Sequence, residues 1–536
     1  MKISQITLLA ALAASPSAHA FSTPVELSSL ARRPSFSTAA RSRGLPFRMS
    51  AVEEETETTA AVPFFAREEA TKMHVISAVT PPQELQKSRT GRSASEIAAE
   101  LSSGKTLEGG PTIDFGGAKD ATSRSERALL AAREEYLDAL RLGREVKVSG
   151  GIDGTGRLMG INDDVVAEVG REIGEFAEKF GGPETVRRCG AWLRKGAPSG
   201  MFDPLPNADD AAATFSDEEV AKFKQLLEEA YEESGLVTEA FAKTFYLGTQ
   251  LLPEDARRAI WAVYVWCRRT DEIVDAPRSP DDPDMLVDLS AWEIRLERLF
   301  QYGEVVDAMD LPLLDIKAKY PNMDIQPYLD MVRGMLMDIP DLGQDRYDTF
   351  DELHLYCYRV AGTVGLMSMP VFGCAPGYTE EQAKEPALSL GVAFQITNIL
   401  RDVGEDAVTR GRVYLPREDM EKFGVTEQQI FDQRLDDNYV AMMKYEIERA
   451  RMYYERALRG VPMLAPYSRL PVQASLDCYA KILDKMEENG YDNLTKRAYA
   501  GKWEKMAEIP FSWYRTQDIY KTLPLPWDKP LKEDSS

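Results

Sequence analysis

The spacing of apolar residues predicts helices through most of the chain. Val220, Phe223, Leu227 and Tyr231 recur every three or four residues, which places them on one face of a helix. Alternation of apolar and polar residues, the pattern of strands, is scarce. Other runs of helical length cover residues 256–275, 284–302, 325–339, 350–372, 386–406 and 434–459. The pattern predicts an all-α domain over residues 216–520, followed by a short tail at 521–536.

The first 50 residues have the composition of a targeting leader. Residues 1–20 combine Lys2 with an apolar run and end in Ala18-His-Ala20, as signal peptides do. Residues 21–50 are rich in Arg and Ser and contain one acidic residue, which is typical of a transit peptide. Such a bipartite leader resembles that of algae whose plastids lie inside the secretory system. We therefore expect a plastid protein, in the stroma or peripheral to plastid membranes, with simple secretion as the alternative.

The next 155 or so residues are predicted to be partly folded. Residues 51–122 have the composition of a disordered linker. Residues 123–205 are predicted to form a small helical extension of unknown role. Ser123-Arg-Ser-Glu126 predicts a capping box ahead of a helix that ends near Gly143, and Val166, Val169, Ile173, Phe176 and Phe180 mark another apolar helix face.

Charge and residue counts exclude several classes of protein. A formal charge of −23 argues against nucleic-acid binding, which requires a basic surface. Three histidines leave little room for a histidine metal cluster or a Ser-His-Asp triad. The five cysteines are scattered without a Cys-X-X-Cys pair, which indicates free thiols and not a disulfide framework.

Two acidic motifs stand out in the helical region, Asp271-Glu-Ile-Val-Asp275 and Asp402-Val-Gly-Glu-Asp406. Residues four apart lie on the same face of a helix, so each motif directs two carboxylates to one point. Like charges this close repel each other unless a cation joins them, and Mg²⁺ prefers a few carboxylates together with phosphate oxygens. If the two faces meet, they would form a metal-bridged diphosphate site.

A single Asp-X-X-X-Asp motif is weak evidence, because most such pairs lie on solvated helix faces. Here the neighbouring residues strengthen the prediction. Tyr264 and Arg268 precede the first motif at helical spacing, and Asn398 precedes the second. Arginines follow in Arg410-Gly-Arg412-Val-Tyr-Leu-Pro416, and arginine is suited to bidentate capture of phosphate oxygens.

The amino-acid sequences of four motifs closely resemble those of the phytoene synthases in the squalene/phytoene synthase family. The motifs are Lys243-Thr-Phe245-Tyr-Leu-Gly-Thr, the run from Ala259 to Asp275, Tyr356-Cys-Tyr-Arg-Val-Ala-Gly-Thr-Val-Gly365, and Asn398 to Asp406 with Arg412-Val-Tyr-Leu-Pro416. The resemblance implies the isoprenoid synthase fold, a helical bundle around a central cavity. It also implies head-to-head condensation of two geranylgeranyl diphosphates, through prephytoene diphosphate, to phytoene in carotenoid biosynthesis.

The same resemblance assigns expected roles to individual residues. Mg²⁺ or Mn²⁺ is the expected cofactor, and no NADPH is expected. The expected catalytic residues are Asp271, Asp275, Asp402, Asp406 and Tyr356, and the expected metal site is Asp271, Asp275, Asn398, Asp402 and Asp406. Diphosphate contacts are expected from Lys243, Tyr264, Arg268, Gln395, Asn398, Arg401 and Arg412. The prenyl-chain cavity is expected at Phe245, Val360, Ala361, Gly362 and Val364.

Other interpretations remain open at this level. Phe245 and Val360 suit the core of any helical bundle, and Gly362 with Gly365 suits close helix packing. A squalene-synthase-like enzyme acting on farnesyl diphosphate is the nearest alternative activity, and a non-catalytic assembly scaffold is an alternative of another class. Because the implied substrate and product are lipids, we expect peripheral contact with plastid membranes. Contact with other carotenoid-pathway enzymes is a further expectation, and nucleic acid is not an expected partner.

Overall fold

The computed structural model describes residues 121–141, 181–205, 214–275, 285–339 and 346–517, which belong to one compact unit. The predicted signal peptide (1–20), transit segment (21–50), most of the linker (51–122), the apolar face at 166–180 and the tail (521–536) lie outside these ranges. Backbone alone is described for a few helical residues, among them Lys243, Asp275 and Lys502. The expected roles of the Lys243 and Asp275 side chains therefore stay predictions.

The described residues are almost entirely helical, as the apolar spacing predicts. Their extended pairing is limited to one antiparallel bridge between Cys374 and Leu464. The α-helices are α1 (Ala121–Arg141), α2 (Gly182–Gly196), α3 (Asp217–Phe241), α4 (Lys243–Thr249), α5 (Glu254–Asp275), α6 (Met285–Tyr302), α7 (Asp310–Lys319), α8 (Gln326–Leu336), α9 (Phe350–Cys357), α10 (Thr363–Phe372), α11 (Glu380–Arg401), α12 (Val403–Arg410), α13 (Arg417–Phe423), α14 (Glu427–Phe431), α15 (Asp437–Gly460), α16 (Pro466–Glu488) and α17 (Lys502–Arg515). A π-helical turn, Tyr358–Gly362, joins α9 to α10, and a 3₁₀ turn, Val461–Met463, follows α15.

The centre of the bundle is the pair α11 and α15. Thr397 of α11 and Tyr454 of α15 share a buried hydrogen bond of 2.9 Å between their hydroxyls. Phe394 lies 4.4 Å from the Tyr479 ring of α16, measured between ring centroids. Gly391 allows the π turn to approach α11, because a Cβ at Gly391 would lie 2.5 Å from the carbonyl oxygen of Ala361. The helix that carries the second acidic motif is thus fixed on several sides.

Helices α1 and α2 pack directly on this bundle. Arg133 of α1 pairs with Glu297 of α6 at 2.5 Å. Glu126 of α1 accepts from Arg359 in the π turn at 2.7 Å. From α2, the thiol of Cys189 is fully buried and donates to a backbone carbonyl of α3. All five cysteines of the chain are free, as their scattered positions predict.

Three local features differ from the predicted helices. The capping box at Ser123 is wrong, because α1 already includes residues 121 and 122, although the helix ends near the expected place. The run 350–372 is interrupted by the π turn, and the run 386–406 breaks at Asp402, whose φ of −105° and ψ of 13° leave the α-helical region. Among the described helices, none combines the length and the apolar character needed to cross a membrane.

Candidate active site

The break at Asp402 has an identifiable cause two residues later. The amide of Gly404 donates to the backbone carbonyl of Asn493 at 3.2 Å. A Cβ on Gly404 would lie 1.9 Å from the carbonyl oxygen of Leu494, so this approach requires glycine. The second acidic motif therefore folds as the end of α11 and the start of α12, docked on the segment after α16.

Backbone hydrogen bonds across the break preserve the helical spacing of the three predicted ligands Asn398, Asp402 and Asp406. The amide of Asp402 donates to the carbonyl of Asn398 at 3.0 Å, and the amide of Asp406 donates to the carbonyl of Asp402 at 2.8 Å. All three side chains are buried, with exposed fractions of 3% or less. The expectation of one straight helical face was wrong, but the four-residue spacing of the backbone persists.

The aspartates of this motif already have cationic partners. Arg401 donates to both carboxylate oxygens of Asp402, at 2.8 and 2.6 Å. Arg497 approaches the same carboxylate, with its Nε 3.0 Å from Oδ1. Arg410 donates to Oδ1 of Asp406 at 2.9 Å. The motif thus combines carboxylates with arginines, as a site for an anion held through a cation requires.

Two polar groups in the motif are buried without a hydrogen-bond partner among the described residues. They are Oδ2 of Asp406 and the whole carboxamide of Asn398. Burial raises the pKa of Asp406 to about 6, and the guanidinium of Arg410 offsets this only in part. Unpaired buried oxygens of this kind are costly unless a ligand satisfies them, and amide and carboxylate oxygens suit Mg²⁺. These residues therefore fit a divalent cation.

The first motif lies at the C-terminal end of α5. Asp271 is 2% exposed and accepts from Arg268 at 3.0 Å, and Arg268 also pairs with Glu272. The guanidinium of Arg268 lies over the ring of Phe241, 4.1 Å from its centroid. Within the described side chains, no group of three or more His, Cys, Asp and Glu residues is arranged to hold a metal ion. The meeting of the two acidic faces stays a prediction.

Tyr264, two turns before Asp271, is buried with its hydroxyl unpaired among the described residues. Its ring packs on Phe245, with 5.1 Å between centroids. Burial raises the pKa of Tyr264, so this hydroxyl stays protonated and can donate. Gln395, one turn before Asn398 on α11, is 1% exposed. Both predicted diphosphate contacts are therefore buried polar groups in the expected helices.

Tyr356 belongs to a cluster of polar aromatic residues that the sequence pattern does not reveal. Its hydroxyl donates to Oδ2 of Asp338 at 2.9 Å. Oδ1 of Asp338 accepts from Arg412 at 2.9 Å and from the hydroxyl of Tyr414 at 3.2 Å. Tyr347 completes the cluster, 5.6 Å from Tyr356 between ring centroids, with its own buried hydroxyl unpaired among the described residues. The carboxylate of Asp338 thus links Tyr356, a predicted catalytic residue, to Arg412, a predicted diphosphate contact.

Asp338, Tyr347 and Arg497 are site residues that the motifs did not indicate. Asp338 directly follows the apolar run Met335-Leu-Met, and this acidic residue at the end of an apolar run is the one feature of the sequence that could have indicated a functional role for it. Arg497 lies in Thr495-Lys-Arg497, where nothing local predicts its 95-residue reach to Asp402. Burial raises the pKa of Tyr347 and Tyr356, so both hydroxyls remain protonated near neutral pH.

The predicted cavity residues are buried, and their role in lining a cavity stays a prediction. Phe245, Val360 and Ala361 are 3% exposed or less. Gly365 lies against α11, where an added Cβ would come within 2.8 Å of the Ala387 carbonyl oxygen, so close packing accounts for this glycine. A mainly apolar pocket next to it is formed by α10, α11, α15 and α16, including Gly365, Met369, Phe372, Pro386, Leu390 and Val472.

Comparison with known proteins shows to which family this chain belongs. The family model for squalene/phytoene synthase matches residues 238–504. The 15-cis-phytoene synthase of Synechococcus elongatus is 51% identical over 297 residues, which cover 54% of this chain and 94% of that protein. The chloroplastic phytoene synthase of Daucus carota is 51% identical over 319 residues, 59% of this chain and 76% of that protein. The chain belongs to the squalene/phytoene synthase family.

A solved dehydrosqualene synthase in complex with ligand is also similar. It is 27% identical, has a TM-score of 0.48, and the match covers 56% of this chain and 99% of that chain. The predictions of an all-α helical bundle and of this family are confirmed. The family model begins at residue 238, so α1, α2 and most of α3 precede it.

Proposed function

We propose that the protein is a phytoene synthase, which condenses two geranylgeranyl diphosphates through prephytoene diphosphate to phytoene with release of diphosphate. Curated relatives that are about half identical over 293 to 319 residues carry this name. The observation that carries the proposal is the buried group of Asn398, Asp402 and Asp406, which has arginines beside it. Among the described residues, one oxygen of Asn398 and one of Asp406 have no hydrogen-bond partner. Plant relatives named chloroplastic support a plastid location.

Mg²⁺ or Mn²⁺ is the proposed cofactor, held by Asn398, Asp402, Asp406 and Asp271, with Asp275 as a further candidate. When bound, such an ion would stabilise the negative charge that develops on the departing diphosphate. Arg268, Arg401 and Arg412 supply positive charge for the same oxygens, together with Lys243. Arg497, which already contacts Asp402, extends this set.

The buried tyrosines would act on the organic part of the reaction. Tyr356 is held by Asp338, so its ring and hydroxyl have a fixed orientation before substrate enters. Its protonated hydroxyl suits a role as a hydrogen-bond donor or proton relay, and its ring suits stabilisation of a carbocation. Phe245, Val360, Ala361, Gly362 and Val364 are proposed to exclude water from cationic intermediates. NADPH is not required if a proton, and not a hydride, ends the reaction.

The test is incubation of the protein with geranylgeranyl diphosphate and Mg²⁺ or Mn²⁺, without NADPH, followed by mass analysis of the extract. A C40 hydrocarbon is expected, and it should disappear with EDTA and in Asp402→Ala. Asp432→Ala is the matched control, because Asp432 is exposed and its side chain accepts a hydrogen bond from Gln428, one turn earlier in the chain. This control should retain full product.

Two outcomes would contradict the proposal. A C30 hydrocarbon from farnesyl diphosphate with NADPH, and no C40 product, would favour a squalene-synthase-like enzyme. Absence of both products from folded protein would favour a non-catalytic scaffold. Retained aspartates in both motifs argue against the scaffold.

A further inference from the structure

The last helix of the described chain, α17, turns its polar side toward the protein. Ser512 donates to Oδ2 of Asp477 in α16 at 2.6 Å, and Arg515 pairs with Oδ1 of the same carboxylate at 2.5 Å. Glu504 pairs with Lys485 of α16 at 2.6 Å. Helices on a protein surface normally bury their apolar side, so this orientation is reversed.

The outward side of α17 is apolar. Trp503 is 78% exposed, and Phe511 and Trp513 are each 52% exposed. Ala507 and Pro510 are also exposed, while Ser512 on the opposite side is fully buried. At 100° per residue these positions surround the direction of Trp503, with Ser512 about 180° away. Tyr499, 73% exposed, precedes the helix.

None of the charged side chains described in α17 lies among its exposed positions. Glu504, Lys505, Glu508 and Arg515 are all half-buried on the side that faces α16. A contiguous exposed apolar face of this kind marks an interaction site, because soluble proteins seldom leave one uncovered. The outward side consists of Trp503, Ala507, Pro510, Phe511 and Trp513, which we call the aromatic face.

We propose that the aromatic face docks the protein on an uncharged lipid surface. Trp and Tyr have an apolar body and a polar edge, which favours the boundary between headgroups and hydrocarbon. A face without charge gains nothing from anionic headgroups, and a chain of net charge −23 would be repelled by them. A helix of this kind lies in the plane of the boundary with one side inserted.

The position of the aromatic face also suits a lipid, an argument that rests on the proposed function. Arg497, which contacts Asp402, is followed within a few residues by exposed Tyr499 and then by α17. The thiol of Cys478 donates to the carbonyl of Lys505, which fixes the start of α17 on α16. Prenyl substrates partition into lipid, so a surface held at α17 would deliver them beside the second acidic motif.

The test is co-sedimentation of the full chain with phosphatidylcholine vesicles. The variant Trp503→Gln/Trp513→Gln is expected to bind about a hundredfold more weakly, because each of the two inserted aromatic side chains contributes roughly a factor of ten. Tyr378→Gln/Leu435→Gln is the matched control, since these side chains are each 41% exposed elsewhere on the protein. The control should bind like the wild type. Brominated acyl chains should quench tryptophan fluorescence in the wild type and much less in the tryptophan variant.

Several results would overturn the proposal. Unchanged vesicle binding by the tryptophan variant would exclude the aromatic face. Binding that needs anionic lipid and is lost in salt would show a charged contact instead. A concentration-dependent dimer that the variant loses, with no vesicle binding by the wild type, would assign the face to a second copy. Absence of quenching despite sedimentation would mean that the face stays out of the lipid.

Product formation in detergent separates this proposal from the proposed function. If the tryptophan variant makes C40 product from detergent-dispersed substrate like the wild type but fails to bind vesicles, both proposals stand. If no protein makes product while the wild type binds vesicles and the variant does not, only the proposed function fails.

Discussion

Substitution of Asp338 tests whether one carboxylate organises the polar aromatic cluster. Its two oxygens accept from the hydroxyls of Tyr356 and Tyr414 and from the guanidinium of Arg412. Asp338→Asn preserves the shape of the side chain but removes its charge. Arg412, whose side chain is 19% exposed, would keep its bond to the Asp338 backbone carbonyl and lose its counterion.

The magnitude follows from the burial of this pair. Removing one partner of a fully buried ion pair costs about 3–5 kcal/mol, and a hydrogen bond to a charged group contributes about 1.5–3 kcal/mol. Because Arg412 retains some contact with water, we expect Asp338→Asn to lower the free energy of unfolding by about 2–4 kcal/mol. Asp348→Asn is the matched control, since Asp348 and its partner Arg417 have side chains that are 68% and 48% exposed. Its expected cost is about 0.2–1 kcal/mol.

The assay is urea unfolding followed by circular dichroism, with C40 product formation measured on the same preparations. Asp338→Asn should lose both stability and activity, because Tyr356 and Arg412 lose their common partner. If Asp338→Asn matches Asp348→Asn in both measurements, the carboxylate does not organise the cluster. Loss of activity with full stability would instead indicate that Asp338 acts on substrate directly.

Three further predictions concern separate parts of the fold. Burial lowers the pKa of His354 to about 4, below its usual value of ~6.5. The neutral form therefore contributes stability above pH ~6.5, about 2 kcal/mol for a half-buried ring, and this contribution is lost as pH falls from ~6.5 to 4. His354→Phe should lose less stability than the wild type between pH 6.5 and 4.5 in urea unfolding. Gly404→Ala forces a Cβ against Leu494 and should lower the free energy of unfolding by about 3 kcal/mol and abolish product formation. Gly196→Ala is the control, because its Cβ would meet nothing within 4 Å, and it should be nearly neutral in thermal unfolding. Glu126→Gln removes the carboxylate that pairs with Arg359 and should lower the free energy of unfolding by about 1 kcal/mol in the same measurement. A change below ~0.2 kcal/mol would mean that α1 does not support the π turn.

Local patterns predicted the helices well, because a helix is stabilised by bonds between residues four apart. The predicted runs 256–275 and 284–302 agree with α5 and α6 to within two residues. The π turn after Cys357 was not predictable from spacing, since it depends on how closely α11 approaches at Gly391. The capping box at Ser123 was wrong because α1 begins at Ala121, before the predicted cap.

The site shows the same division between local and distant information. The sequence by itself determined which residue types could bind a metal and diphosphate, because Asp402 and Asp406 are separated by one helical repeat. Only the tertiary structure decided that Gly404 must meet Leu494, that Asp338 joins Tyr356 to Arg412, and that α17 directs its aromatic face outward. These features depend on contacts between residues far apart in the chain. Such contacts have no period in the sequence, so they exist only once the helices have packed.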